Sequence, residues 1–312
     1  MEYRRLGNTG LQVSALSIGG WLTHGGSIDE ATSHEVLARA VDGGMNYVDL
    51  ADVYANGRAE EVFGRFLKDR ERHRFVIASK VFWPMSDDPN DRGLSRKHIV
   101  ESVERSLKRL GTDYLDLYFC HREDPDTPLT ETMRAMEDLV RQGKVLYWGT
   151  SCFSPSTLLE AQGKARLRGW TPPVVEQPPY SLLDRHIEKR VVPLCRTAGM
   201  GVVVFSPLAG GALTGKYDDG TAPDGSRGAQ TKWLDEVLTP ENLPKLRRFS
   251  TLARERDVAP AQLALAWAMA QPGISSVITG ATSVAQVEQN LGALDVDIDD
   301  GLARELDELF PR

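Results

Sequence analysis

The feature of this sequence that most limits its fold is a short run of apolar and β-branched residues that recurs eight times. Most of these runs lack alternating polar residues, which is typical of strands covered on both faces. The eight runs span residues 13–20, 46–52, 75–81, 114–121, 145–151, 174–180, 201–208 and 275–281.

Stretches with helical periodicity lie between these runs. In residues 95–110 the apolar side chains fall on one helical face, and we expect Ser95 to cap the start and Gly111 to end the helix. The other predicted helices span about residues 29–43, 58–70, 129–142, 155–168, 185–198, 259–270 and 283–292. Strands that alternate with helices in this way predict an α/β fold, a (β/α)8 TIM barrel.

One glycine-rich segment, about residues 209–245, interrupts the alternation and predicts a long loop between strands 7 and 8. The first dozen residues and a final helix near 300–309 are expected to be additions to the barrel. Because no linker or repeat divides the chain, residues 1–312 are expected to form a single domain. A doubly wound sheet is the main alternative, but the GxGxxG turn expected of its dinucleotide site does not occur.

Charge and cysteine content argue against several functions. A net charge of −7 disfavours nucleic acid and anionic membranes as partners. The three cysteines, Cys120, Cys152 and Cys195, form no CxxC pair, so a disulfide framework and a zinc site are not expected. The sequence has neither a signal-peptide pattern nor an apolar stretch of membrane-spanning length, so we expect a cytoplasmic protein.

Four polar residues lie at or just after the ends of three predicted strands, at the end of the barrel where such barrels place their active sites. Asp49 ends the second strand, Tyr54 follows it, Lys80 ends the third and His121 ends the fourth. Each has a structural interpretation of its own: a packing tyrosine, a surface ion pair or a structural histidine. If they lie together at one mouth, they form a catalytic group. Tyr54 is then the proton donor, Lys80 the cation and Asp49 its counter-ion, and His121 supplies an orienting imidazole.

These four residues resemble the catalytic tetrad of the aldo-keto reductase superfamily. The segments YVDLADVYANGRAEEVFG, ASKVFW, WGTS, VEQPPY, FSPLAGGALTGKY and ITGATSVAQVEQNLGAL cover nearly the whole chain. They are similar, in order, to the branch that contains the potassium-channel β subunits and their bacterial relatives. Those subunits commonly carry an asparagine in the tetrad where this chain has His121, a difference that favours turnover over a regulatory role.

The resemblance implies reduction of an aldehyde or ketone to an alcohol, with NADPH as hydride donor and Tyr54 as proton donor. Lys80 would lower the pKa of Tyr54, and Asp49 would pair with Lys80. His121 would hydrogen-bond the carbonyl oxygen and orient the substrate. No metal ion is implied.

The same resemblance implies the residues that contact substrate and cofactor. The substrate pocket would be lined by Trp21, Tyr54, Trp83 and His121. The cofactor would be bound by Gly20, Trp21, Asp49, Ser151, Gln177, Phe205, Ser206, Pro207, Leu208, Gly210, Lys216, Arg227, Gly280, Thr282, Gln286, Gln289 and Asn290.

Within that cofactor set, Ser151 and Gln177 would bond the nicotinamide carboxamide and Phe205 would stack on its ring. The last five residues are expected at the start of the helix after strand eight, where barrels often bind phosphate. Lys216 and Arg227 favour NADPH over NADH, because the 2′-phosphate requires local positive charge.

Three alternatives remain open. A regulatory subunit that binds the cofactor as a redox sensor would use the same residues, so turnover distinguishes it. A reductase of nucleotide-activated keto sugars is a second alternative. The third, a metal-dependent hydrolase with His121, Asp49 and Glu123 as ligands, lacks an HxH on its first strand and an Asp at the end of strand eight. Because the channel subunits form tetramers, the resemblance also implies a homo-oligomer as one possible assembly.

Overall fold

A computed structural model describes residues 1–223 and 234–312 of the chain. Eight parallel strands close into a barrel in which each strand pairs with the next along the chain and the last pairs with the first. The barrel strands are β3 (Leu16–Gly19), β4 (Tyr47–Asp49), β5 (Val76–Val81), β6 (Leu115–Cys120), β7 (Val145–Thr150), β8 (Val175–Glu176), β9 (Gly201–Val204) and β10 (Ile274–Thr279). The predicted (β/α)8 barrel is therefore confirmed.

Helices surround this barrel and separate its strands. They are α1 (Glu30–Asp42), α2 (Arg58–Leu67), α3 (Arg96–Leu110), α4 (Leu129–Arg141), α5 (Pro155–Arg168), α6 (Val191–Ala198), α7 (Asn242–Glu255), α8 (Pro260–Ala270), α9 (Val284–Leu291) and α10 (Asp300–Leu309). As predicted, Ser95 Oγ caps α3 by accepting from the His98 N–H, and Gly111 ends it in the left-handed conformation. In the described ranges no helix is both long and apolar enough to span a membrane.

The inside of the barrel is filled by its own apolar cluster, separate from the larger core between strands and helices. Its members are Leu6, Val13, Tyr47, Val76, Ala78, Leu117, Phe119, Val175, Val203 and Ile278. Because side chains alternate along a strand, every second residue faces the same side. On five strands, the residue two positions after the last cluster member is Asp49, Lys80, His121, Gln177 or Phe205. These side chains therefore face inward at the carboxyl ends of their strands, which form the mouth of the barrel.

The opposite end of the barrel is closed by an N-terminal hairpin of β1 (Tyr3–Arg5) and β2 (Gln12–Ser14), which pair antiparallel. Between these strands the Asn8 N–H donates to the Gly199 carbonyl, 2.8 Å away, just before β9 begins. The expectation that residues 13–20 form one strand is wrong, because the chain divides into the hairpin strand β2 and the barrel strand β3. The first residues are an addition to the barrel, as predicted.

The connection from β9 to β10 contains more helix than the sequence predicted. A 3-10 turn (Ala209–Thr214) follows β9, and α7 begins inside the expected loop and runs beyond it. This helix was not predicted, although Leu246, Phe249 and Ala253 follow a helical spacing and are buried.

The single helix predicted over residues 185–198 is also divided. A 3-10 turn spans His186–Lys189, and α6 begins at Val191. Arg190 lies between them with a non-helical backbone, and Pro193 stands in the first turn of α6, where its missing N–H removes no helical bond.

His24, in the loop after β3, is a buried histidine with an unusual environment. It is 1% exposed, and neither ring nitrogen has a hydrogen-bond partner among the described residues. Burial, and to a smaller extent nearby His34, lowers the pKa of His24 from 6.5 to about 4. Between these two values the folded protein binds fewer protons than the unfolded chain. The free energy of unfolding should therefore fall as the pH falls from 6.5 towards 4.

Replacing His24 with leucine is expected to remove this source of acid sensitivity. Relative to the unmutated protein, the His24→Leu protein should keep about 2 kcal/mol more of its stability when the pH is lowered from about 7 to about 5. Urea unfolding at both pH values measures the difference, with the exposed His73→Leu as control. Identical pH dependence in the unmutated and His24→Leu proteins would show that His24 does not titrate in this way.

Candidate active site

Lys80 is the centre of the polar cluster at the barrel mouth. It is 0% exposed, and Nζ donates to Asp49 Oδ2 at 2.7 Å, to the Leu50 carbonyl at 2.8 Å and to Tyr54 Oη at 2.9 Å. These three bonds use every donor of an ammonium group. Burial lowers the pKa of Lys80, and the adjacent Asp49 carboxylate opposes that effect. Lys80 thus joins the carboxylate to the phenol.

Asp49 is fixed from its other side by residues inside the barrel. Its Oδ1 accepts from Gln177 Nε2 at 2.8 Å and from Tyr47 Oη at 3.3 Å. Because a carboxylate only accepts, the amide nitrogen of Gln177 must face Asp49. The Gln177 amide oxygen makes no hydrogen bond within the described ranges and remains as an acceptor. Sequence reasoning missed Tyr47, although the strand alternation that places Asp49 inside also places Tyr47 there.

Tyr54 reaches Lys80 from a strained turn (Tyr54–Gly57) between β4 and α2. Ala55, Asn56 and Gly57 all have positive φ, at 49°, 55° and 86°. Left-handed backbone costs a residue with a Cβ about 1–2 kcal/mol, so the surrounding contacts must hold this turn. Arg109 lies against Gly57 and donates through Nε to Glu60 Oε2 at 2.6 Å, which ties the turn to α3.

Replacing Gly57 with alanine is expected to destabilise the protein by about 1–3 kcal/mol. The new Cβ would combine a φ of +86° with a position 2.9 Å from Arg109 Cδ. The control is Gly163→Ala in α5, where a Cβ meets nothing within 4 Å and helix propensity favours alanine. Chemical unfolding gives the free energy of unfolding of both variants. Equal changes in the two variants would mean that the turn is not strained.

The pKa of Tyr54 is raised well above its ordinary value, first by burial and then by the Asp49 carboxylate, while Arg122 acts in the opposite direction. The expectation that the pKa of Tyr54 is lowered is therefore wrong, since burial and Asp49 outweigh the opposing effect of Arg122. The phenol is protonated at neutral pH, which is the form that can donate a proton.

His121 follows β6 and is almost completely buried. Its ring lies edge-on to Tyr54, with centroids 5.9 Å apart, and edge-on to Trp83 at 6.2 Å. Burial and the charges of Lys80 and Arg122 lower the pKa of His121 well below its usual range, so the imidazole is neutral. Nδ1 is buried without a partner in the described part of the chain. If Nδ1 carried the proton, its N–H would be buried without an acceptor in that part of the chain. The proton is therefore assigned to Nε2, which can donate a hydrogen bond.

Arg122 is a second residue of this mouth that sequence reasoning missed. Its Nη1 donates to the His121 carbonyl at 2.5 Å and to Ser151 Oγ at 3.3 Å. The guanidinium carbon lies 5.7 Å from the centroid of the Trp83 ring. In the sequence it is one charge in the polar segment HRED, with no periodicity that would assign it a direction.

The residues expected to contact a nicotinamide lie around the same mouth. Ser151 is buried and donates to the Gln177 carbonyl at 2.8 Å, and Phe205 is half-buried against the interior cluster. Gly20 donates its N–H to the Asp49 carbonyl at 2.9 Å, and Trp21 follows it, partly exposed. The thiol of Cys152, next to Ser151, has a pKa raised by burial and is protonated.

Beyond Phe205 the backbone curls sharply, and Ser206, Ala209, Gly210 and Gly211 all have positive φ. Pro207 and Leu208 lie inside this curl. Turns of this kind can point N–H groups to one side and suit an anion, and here the Ala209 and Gly211 N–H groups are already bonded to the Ser206 and Leu208 carbonyls. Lys216 lies against the same backbone, because a Cβ on Gly211 would be 3.4 Å from Lys216 Cε. This cation beside a curled backbone fits a pyrophosphate.

The predicted residues after β10 are more scattered. Gly280 and Thr282 precede α9, and Thr282 N–H donates to Gln286 Oε1 at 2.8 Å. Gln289 and Asn290 lie in the last turn of α9, so placing them at the start of that helix was wrong. Arg227 lies outside the described residues.

The arrangement does not resemble a metal site. In residues 1–223 and 234–312, no group of three His, Cys, Asp or Glu side chains could hold a metal ion. Glu123 instead accepts the Ser154 N–H, and Asp49 is held by Lys80 and Gln177. These contacts disfavour the hydrolase alternative.

Comparison with known proteins agrees with this geometry. Residues 15–310 match the model of the aldo/keto reductase family. The chain is 45% identical over 302 residues to a probable voltage-gated potassium channel subunit beta of Oryza sativa subsp. japonica, covering 95% of this chain and 92% of the relative. A protein of the same description from Arabidopsis thaliana is 44% identical over 302 residues with the same coverage. Since these matches span almost the whole barrel, the chain belongs to the aldo/keto reductase family.

Proposed function

We propose that this protein reduces an aldehyde or ketone to an alcohol, with NADPH as hydride donor and Tyr54 as proton donor. The observation that carries the proposal is the buried contact of 2.9 Å between Lys80 Nζ and Tyr54 Oη, with Asp49 behind it. Family membership supports an oxidoreductase, and the protonated phenol and neutral imidazole supply two donors for one substrate oxygen.

When bound, the nicotinamide supplies a hydride to the carbonyl carbon. Tyr54 gives its proton to the carbonyl oxygen, which leaves a phenolate beside the Lys80 ammonium. A cation at this distance in a buried site stabilises that phenolate strongly. Asp49 keeps the ammonium in place. His121 donates through Nε2 to the same oxygen and so orients the carbonyl.

The chain's own residues fit a nicotinamide dinucleotide. Gln177 offers an amide oxygen as acceptor to a carboxamide NH2, Ser151 lies beside it, and Phe205 offers a ring face. The curled backbone after Phe205, with Lys216, would bind the pyrophosphate. Preference for NADPH would come from Lys216 and Arg227, since a 2′-phosphate requires cations.

A regulatory subunit that senses cofactor redox state is the second candidate, because the relatives above are described as channel subunits. It would use the same cofactor residues and bind without appreciable turnover. His121 favours turnover, since the channel subunits commonly carry asparagine there. A homo-oligomer is compatible with either candidate.

A panel of small aldehydes, ketones and a nucleotide-activated keto sugar, tested with NADPH and NADH, decides between the candidates. We expect carbonyl-dependent loss of NADPH absorbance, with lower rates for NADH. Tight cofactor binding without oxidation by any carbonyl would instead support the regulatory subunit. Faster reaction with NADH would contradict the cofactor assignment.

A further inference from the structure

We propose that Arg122 is an anion-binding subsite that selects carbonyl substrates bearing a carboxylate. The inference deepens the proposed function, because it names the substrate class of the same site.

The guanidinium has donors to spare. Both of its hydrogen bonds to the protein use Nη1, one to the His121 carbonyl and one to Ser151 Oγ. An arginine carries five N–H donors, so Nε and Nη2 keep three that no described residue accepts. The edge formed by Nε and Nη2 can bind both oxygens of a carboxylate through two parallel hydrogen bonds. The two hydrogen bonds at Nη1 fix the orientation of this edge, called the fork below, before any ligand binds.

This fork lies beside the reacting groups. Trp83 contacts both Arg122 and His121, with 5.7 Å from the guanidinium carbon to the Trp83 centroid and 6.2 Å between the Trp83 and His121 centroids. Trp83 is 38% exposed, so this corner of the mouth is open to solvent. The charge of Arg122 also contributes to the lowered pKa of His121. A carboxylate bound here would hold a substrate whose carbonyl is close to Tyr54 and His121.

The charge of Arg122 is not neutralised by the protein. No carboxylate in the described ranges forms an ion pair with it, although the next two residues in the sequence are acidic. Glu123 accepts the Ser154 N–H, and Asp124 Oδ2 accepts from the Leu94 N–H at 2.6 Å and Thr127 Oγ1 at 2.8 Å. Both carboxylates therefore accept hydrogen bonds from groups other than Arg122. The chain has a net charge of −7, so it does not attract anions in general. The half-buried, unpaired guanidinium of Arg122 would therefore bind a small anion specifically at this place.

The test compares 4-carboxybenzaldehyde with its neutral methyl ester, methyl 4-formylbenzoate, in the unmutated protein and Arg122→Met. We expect the unmutated protein to favour the acid by about 10- to 100-fold in kcat/KM, the range for charge-assisted hydrogen bonds. Arg122→Met should abolish that preference, mainly through KM, and Arg122→Lys should retain part of it. The control is Arg168→Met. Arg168 is the last residue of α5, and its guanidinium also lies over a tryptophan ring, that of Trp170.

An acid-to-ester ratio near one in the unmutated protein, or an unchanged ratio in Arg122→Met, would overturn the subsite. Calorimetric titration with 4-carboxybenzaldehyde tests it without turnover, and we expect Arg122→Met to weaken binding about tenfold. If neither aldehyde is reduced but this difference in binding appears, the reductase proposal fails and the subsite stands. If both aldehydes are reduced but the carboxylate gives no advantage, the subsite fails and the reductase proposal stands.

Discussion

Lys80→Met is expected to abolish carbonyl reduction and to lower the free energy of unfolding by about 3–5 kcal/mol. The stability loss follows because Asp49 would be left as a buried carboxylate without its cation, and breaking a buried ion pair has an effect of this size. The activity loss follows because no other described side chain donates to Tyr54 Oη to stabilise its phenolate. Steady-state kinetics and chemical unfolding measure the two effects separately.

Two further variants separate stability from chemistry. Lys97→Met removes a lysine from an exposed ion pair with Glu101, which should change stability by less than about 1 kcal/mol. The double variant Lys80→Met, Asp49→Asn leaves no unpaired charge, so it should be more stable than Lys80→Met and equally inactive. Recovery of activity in the double variant would show that Lys80 serves folding only.

Tyr54→Phe is expected to lower turnover by about a thousandfold or more, the upper range for loss of a general acid, while cofactor affinity changes little. The substitution preserves ring volume, and Lys80 keeps its bonds to Asp49 and the Leu50 carbonyl. Fluorescence titration with NADPH and carbonyl-dependent oxidation measure the two quantities. Tyr147→Phe, which removes a hydroxyl from β7, is the control, and a Tyr54→Phe protein as active as Tyr147→Phe would remove Tyr54 from the mechanism.

Much of the candidate site could be predicted because parallel barrel strands end at one rim. Asp49, Lys80 and His121 each stand at the end of a strand-like run, so their convergence follows from topology. Their inward direction follows from the two-residue alternation along each strand. Tyr54 lies outside a strand, and its contact with Lys80 depends on the left-handed turn after it, which the sequence indicates only through Asn56 and Gly57.

What could not be predicted depends on tertiary surroundings. Arg122 follows His121 in a polar segment, and its guanidinium is oriented by contacts with Trp83, Ser151 and the His121 carbonyl that the sequence does not reveal. The pKa of Tyr54 was expected to be lowered because a cation is adjacent, but the sequence does not reveal how deeply the phenol is buried. Helix α7 was missed because glycines and charges precede it, whereas its burial depends on packing against α8, α10 and the 3-10 turn Ala209–Thr214.

Transfer of deuterium from NADPH labelled at nicotinamide C4 to an aromatic aldehyde tests the proposed reaction most directly. The unmutated protein should form an alcohol with one deuterium on the carbinol carbon, detected by mass spectrometry, and Tyr54→Phe should form almost none under the same conditions. An unmutated protein that binds labelled NADPH but produces no deuterated alcohol from any carbonyl would contradict the proposed function. Equal yields of deuterated alcohol from the two proteins would contradict the assignment of Tyr54 as proton donor.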